Sequence, residues 1–211
     1  MRLNLTKTRF MLFNPTKNWD FIPNFTLGNT EIETLEEMKM LGLLVRNDLS
    51  WKSNTDTMTQ KAYSRLWILK RLKKQGANLE DLKDIYIKQI QSVVESGVPV
   101  WNSGLKKDEA VNIERVQKSF LHIALGGTYV DYKSALELTD LEILSSRRTK
   151  LCSKFAVKTA KHPLHNHWFV KSLPGPNTRS DKPRFKPPLC RLDRLKTSPI
   201  PYLTSLLNCS K

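Results

Sequence analysis

Between Asp108 and Gly127 the sequence permits one kind of structure. Ala110, Ile113, Val116, Gln117, Phe120, Leu121 and Ala124 recur at intervals of one to three residues, while Glu114, Arg115, Lys118, Ser119 and His122 fill the gaps. At about 3.6 residues per turn this puts an apolar stripe on one face of a helix and a polar band on the other. Asp108 stands at its start, and Gly126-Gly127 ends it where the chain must leave helical geometry. A lone helix cannot bury such a stripe, so neighbouring segments must supply partners.

Three further segments carry the same period. Met58, Ala62, Leu66, Leu69 and Leu72 line a helix expected from near Asp56 to Gly76. Leu82, Ile85, Tyr86, Gln89 and Val93 form the stripe of another, opened by Asn78 with Asp81 and closed at Gly97. The last follows Thr139, whose spacing to Glu142 is that of a capping box, and runs to about Lys161. Its inward residues are Leu141, Leu144, Leu151, Cys152 and Phe155. Arg148 falls inside that stripe and Arg147 at its edge. Arg148 either covers apolar surface with its stem while its head reaches water, or is buried against a carboxylate, with Glu114 or Glu137 as candidates, or against helix C-terminal carbonyls, and fixes how the helix docks. Asp131 reads as a turn or cap before Tyr132.

The first fifty residues read differently. Phe10-Met11-Leu12-Phe13 is a short apolar run, and Gly28-Asn29 is a hairpin-type turn between Phe25, Leu27 and Ile32. Met40-Leu41-Gly42-Leu43-Leu44-Val45 predicts one nearly continuous buried strand, with Gly42 at a bulge or a close backbone approach. After His162 the periodicity disappears among prolines and basic residues, leaving a poorly ordered tail in which Tyr202 to Asn208 could form a last short helix. The expected fold is α+β. Residues 1–50 form a small antiparallel sheet, 51–161 a helical domain and 162–211 a basic, Pro-rich tail.

Charge narrows the partners. The net charge is +15, yet residues 1–50 are balanced, while residues 150–211 hold 13 Lys/Arg against 2 Asp/Glu. Within the first helix Lys61, Arg65, Lys70, Arg71, Lys73 and Lys74 follow one another with no acid among them. Such an excess suits a polyanion, because phosphate contact is mostly sequence-independent electrostatics. The alternative is a basic, solvated tail with no dedicated partner. No Gly-rich phosphate loop, nucleophile elbow or His-Glu-x-x-His helix is present, and no two aspartates are adjacent. Asp140 and Glu142 are explained by a helix start. His162, His165 and His167 could ligate a metal, but a loop of solvated histidines is the simpler reading, with no cysteine or carboxylate at ligand spacing. Cys152, Cys190 and Cys209 fit neither a disulfide framework nor a paired zinc pattern. No apolar run is long enough to span a bilayer and Met1-Arg2-Leu3-Asn4-Leu5 opens no signal peptide, so the expectation is an intracellular protein of the cytoplasm or nucleus without a membrane partner.

Several short motifs resemble those of one family, in collinear order. Leu3-Asn4-Leu5-Thr6-Lys7-Thr8-Arg9 resembles the Leu-Asn-x-x-Lys-Thr-Lys segment that follows the catalytic aspartates in non-LTR retrotransposon reverse transcriptases, with Arg9 for the last lysine. Phe25-Thr26-Leu27-Gly28-Asn29 resembles the family's hairpin, and Lys39-Met40-Leu41-Gly42-Leu43 its Lys-Tyr-Leu-Gly-Val, with Met40 for the aromatic. Leu49-Ser50-Trp51, Ser64-Arg65-Leu66-Trp67, Val98-Pro99-Val100-Trp101, Ile113-Glu114-Arg115-Val116-Gln117-Lys118 and Ser146-Arg147-Arg148 follow in the same order. Ser198-Pro199-Ile200-Pro201-Tyr202-Leu203 resembles the tail of jockey-like elements.

The resemblance implies the end of a palm, a primer-grip segment, a thumb-like helical region and a tail. It places Lys7 near the incoming nucleotide's phosphates, where a cation assists pyrophosphate departure. Leu41 and Gly42 match the primer grip, and Lys61, Arg65, Lys70, Arg71, Lys73 and Lys74 part of a template-primer cradle. On residues alone Lys7 reads equally as an ordinary exposed lysine, and Gly42 as a plain bulge. The family's fingers, both aspartate motifs and endonuclease would lie upstream of Met1, and magnesium would require that palm. The expectation is therefore a catalytically incomplete fragment of an RNA-directed DNA polymerase, with no cofactor of its own, that binds RNA or DNA without sequence preference. The competing readings are a helical protein-interaction module and a transposon remnant with no selected function.

Overall fold

The computed structural model of the chain describes residues 4, 8–13, 24–28, 30–172 and 185–209. They fall into two compact units, residues 1–57 and 58–211. The class is α+β: two small antiparallel hairpins come first, and helices make up nearly all the rest.

In the first unit β1 (Phe25–Leu27) pairs with β2 (Thr30–Ile32), with Gly28 at φ +61° in the turn expected there. Of the apolar run at 10–13 only Phe10 takes part in β-structure. Its N–H donates to the Glu33 carbonyl at 3.1 Å and its own carbonyl accepts from Leu35 at 2.8 Å. The Phe10 and Phe25 rings meet at 4.0 Å between centroids.

The single strand expected over Met40–Val45 is instead a hairpin. β3 (Glu37–Met40) and β4 (Leu43–Arg46) pair from Glu37↔Arg46 to Met40↔Leu43, leaving Leu41-Gly42 as a two-residue turn. Both turn residues have positive φ, +47° for Leu41 and +90° for Gly42. Two-residue hairpin turns take such angles because their twist matches that of the flanking strands. Gly42 supplies the second angle without a Cβ cost, and Leu41 stands fully exposed at the tip. The apolar run misled because it spans two strands and their turn. The Leu44 N–H donates to Asn54 Oδ1 at 3.1 Å, which ties β4 to the start of the first helix.

α1 spans Lys52–Lys74 and so begins a turn before Asp56, which lies inside it. In the second unit Met58, Ala62, Leu66 and Leu69 are buried and Leu72 partly so, as the period requires. α2 (Leu79–Ile85) starts at Asn78, whose side chain accepts from the Asp81 N–H at 2.8 Å. From Tyr86 to Gln91 the backbone widens into π-helical bonding before α3 (Ser92–Val94). The wider turn advances the buried positions by fours: Leu82, Tyr86, Ile90 and Val94 point inward, while Gln89 is exposed and Val93 only partly covered. α4 (Val98–Trp101) follows Gly97.

α5 (Lys107–Leu125) buries Ile113, Val116, Gln117, Phe120, Leu121 and Ala124 on the face read from the sequence, with Ala110 partly covered. Phe120 stacks on Tyr86, with centroids 4.1 Å apart. Glu109 reaches back to the Lys106 N–H at 3.1 Å. α6 (Tyr132–Thr139) is capped by Asp131, which accepts from Lys133 and Ser134. Thr139 therefore ends α6 rather than capping the next helix. Its hydroxyl donates to the Ala135 carbonyl at 2.8 Å, and Asp140 follows in left-handed conformation, a geometry aspartate tolerates. α7 (Leu144–Lys161) starts without a side-chain cap. Its inward line is Leu144, Arg148, Cys152, Ala156 and Thr159; Leu151 is half-buried and Phe155 exposed, which corrects the stripe expected there.

The short α8 (Asp193–Lys196) precedes α9 (Pro199–Cys209), a longer version of the helix expected over Tyr202–Asn208. α9 packs on α7 and α4 and buries Leu203 and Thr204. Among the described residues no helix is long and apolar enough to cross a membrane.

Candidate nucleic-acid interface

Burial of one face of α1 turns the rest of its surface outward. Lys61, Lys70, Arg71, Lys73 and Lys74 are all exposed. Arg65 is not free for a ligand: it is half-buried, and its guanidinium donates to the Gln89 carbonyl in the π-helical segment. At about 100° per residue, Lys70, Arg71 and Lys74 share one side of the helix, whereas Lys61 lies on another flank. Lys73 is exposed because α1 ends there. The six cations named from the sequence are thus three on one face, two exposed elsewhere on the helix and one structural arginine.

That face also holds two residues the sequence reading passed over. Tyr63 is 42% and Trp67 58% exposed, one turn apart, and the Arg71 guanidinium lies 4.8 Å from the Trp67 ring centroid. Their signal was available: both fall off the apolar stripe inside a run without acids. α7 likewise has no acid within its own length, and its Lys150, Lys154, Lys158 and Lys161 are exposed. Lys150 pairs with Glu142 at 2.6 Å, and that contact, then the Ser146 hydroxyl, holds the Glu142 carboxyl below the usual carboxylate range.

Leu41 and Gly42 are together, at the exposed tip of the β3–β4 hairpin in the first unit. Lys7 lies outside the described residues. His162 and His165 stack with ring centroids 4.9 Å apart and Trp168 follows at 5.0 Å; among the described residues no group of three His, Cys, Asp or Glu is arranged to hold a metal ion.

Arg148 belongs to the interior. It is 3% exposed; its Nε donates to Asn102 Oδ1 at 3.0 Å and its Nη1 lies 4.0 Å from Glu114 Oε2. Of the two readings of this residue, burial near a carboxylate is the one observed, and Glu114 is the carboxylate. Burial pulls the Arg148 pKa down against the attraction of Glu114. Glu114 is itself fixed by the Tyr132 hydroxyl at 2.6 Å and the Leu144 N–H at 3.1 Å. Arg147, at the edge of the stripe, forms a two-bond fork on Glu95 at 2.6 and 3.1 Å, and this raises its pKa. Both arginines therefore serve the docking of α7, not a surface site. Comparisons with protein-family models, with curated proteins and with solved structures return no match.

Proposed function

We propose that this chain is the C-terminal part of a non-LTR, jockey-like retrotransposon reverse transcriptase and acts as a nucleic-acid-binding piece with no polymerase activity of its own. The observation that carries the binding is the outer side of α1, where Lys70, Arg71 and Lys74 stand exposed on a helix whose lone acid, Asp56, lies at its far end. The lysines of α7 and the excess of cations over residues 150–211 add to the same sign. In this reading α1 to α9 are the thumb-like region and tail, and the Leu41-Gly42 tip is the segment that positions a primer end. Lys7 would stand near the nucleotide phosphates, beside carboxylates and magnesium supplied by the part of such an enzyme that precedes the Leu3–Arg9 match. The collinear motifs support the family, and the charge supports the ligand.

Binding to an RNA–DNA duplex, followed by fluorescence anisotropy across a salt series, tests this. The affinity should fall steeply with salt, since each neutralised phosphate releases condensed counterions. Changing Lys70, Arg71, Lys73 and Lys74 together to Glu should weaken binding at least about tenfold and flatten the salt slope, while the helix persists because Glu is also a good helix former. Unchanged affinity in a folded variant would transfer the chain to the class of protein-interaction modules.

A further inference from the structure

Lysines and arginines account for affinity to any polyanion, but they do not account for Tyr63 and Trp67. Half-exposed aromatic rings within a run of cations are out of place on a face that only meets phosphates, because a phosphate rail offers them nothing to pack against. We propose that the outer face of α1 is a stacking platform for unpaired nucleotides, with Trp67 and Tyr63 taking bases and Lys70, Arg71 and Lys74 taking the phosphates between them. This rests on the nucleic-acid reading above and narrows it from duplex to single strand.

The geometry fits that ligand. At about 100° per residue the five side chains lie within an arc of roughly 100°, and from Tyr63 to Lys74 they cover about 16 Å of helix. Several nucleotides of an extended strand fit along that length. Arg71 sits over one face of the indole at 4.8 Å, which fixes the ring and enriches its surroundings in positive charge, while more than half of the Trp67 surface stays open. Between Tyr63 and Lys74 α1 itself carries no acid, which suits a polyanion better than a mixed protein surface. In a duplex the bases are stacked on one another and offer no π-face; in a single strand they are splayed and do.

The test compares an unstructured single-stranded oligonucleotide of about a dozen nucleotides with a duplex of the same length. Binding is measured by fluorescence anisotropy at fixed salt, for the wild-type chain and for the Trp67→Ala/Tyr63→Ala and Trp67→Phe variants. Because both residues are exposed and Ala favours helix, circular dichroism should show the fold unchanged. The double variant should lose at least about tenfold in affinity for the single strand, the fold-change of one lost base stack, and change less than about twofold for the duplex. Trp67→Phe should recover most of the loss, since it keeps a π-face. Equal effects on both ligands, or none on either, would overturn the stacking role while leaving duplex binding by the wild type as support for the broader reading. Absence of binding to both ligands would remove the two together. A wild-type dimer that Trp67→Ala/Tyr63→Ala dissolves in sedimentation would assign the face to a second copy of the chain and end the proposal.

Discussion

Removing the Arg148 side chain tests how the helical unit is held together, and the structure fixes the expected size. Arg148 is 3% exposed, and within the described residues its guanidinium makes one hydrogen bond, Nε to Asn102 Oδ1 at 3.0 Å. Its charge faces Glu114 Oε2 at 4.0 Å. Truncation to alanine deletes that bond, leaves a space beside Cys152 and strands the Glu114 carboxylate without its cation. Breaking a buried pair from one side costs about 3–5 kcal/mol. The lower half of that range is expected, because Glu114 keeps the Tyr132 hydroxyl and the Leu144 N–H, and because the arginine's own desolvation cost disappears. Methionine in place of Arg148 retains the apolar stem, so Arg148→Met should cost about 1–2 kcal/mol less than alanine. Adding Glu114→Gln to Arg148→Met removes the stranded charge and should bring stability back to within about 1 kcal/mol of the wild type. Urea unfolding followed at the helical circular dichroism band, with a double-mutant cycle over Arg148 and Glu114, measures all of these. A coupling between the two sites indistinguishable from zero, or an Arg148→Ala variant as stable as wild type, would refute the argument.

Other outcomes follow from single contacts. Arg147→Ala should cost about 1–2 kcal/mol in the same assay, since its fork on Glu95 is half-screened yet geometrically good. Leu41→Asn should stabilise the β3–β4 hairpin by roughly 0.5–1 kcal/mol, because Leu41 is exposed with φ +47° and asparagine accepts that conformation more readily; a lower melting temperature would contradict the turn assignment. Burial pushes the Cys152 thiol up to about 11, so at pH 8 a thiol reagent should label Cys209 and Cys190 but reach Cys152 only after unfolding. Because that thiol is raised above its ordinary 9.0, the neutral form is favoured in the folded chain, and its contribution to stability should be complete below pH 9 and fade between about 9 and 11.

Where the sequence carried a long single-period signal, it could be read. α5 is the clearest case: six of its seven expected stripe residues are fully buried and the seventh partly so. The Gly28 turn and the Asn78 cap were also legible, because each rests on a local rule of backbone angle or hydrogen bonding. What failed did so at switches between local rules. Met40–Val45 looks like one strand because an apolar run does not say where it folds back, and only the positive φ at Leu41 and Gly42 divides it. Thr139 and Glu142 have the spacing of a cap, but a threonine hydroxyl satisfies a carbonyl at a helix end as readily as an N–H at a helix start. In the candidate site the cations were legible and the division of labour among them was not. Arg65 reads like its neighbours, yet it is committed to Gln89, a residue whose position depends on the π-helical turn.

That turn shows how one local irregularity arranges a surface. Widening at Tyr86–Gln91 moves Gln89 outward and Ile90 inward, so Ile90 takes the buried place and the Gln89 carbonyl receives Arg65. The same segment carries Gln91, which donates to Glu95 at 2.9 Å and so presents the carboxylate that Arg147 grips. Through these two contacts the segment holds α1 by Arg65 on one side and α7 by Arg147 on the other. Both helices it anchors carry several exposed lysines. The buried and half-buried arginines therefore fix the frame, while Lys70, Arg71, Lys74 and the two aromatic rings of α1 stay exposed. Substitutions of those exposed residues leave untouched the contacts of Arg65, Arg147 and Arg148 that set the fold, so under the proposed function a loss of affinity there is expected without a loss of stability.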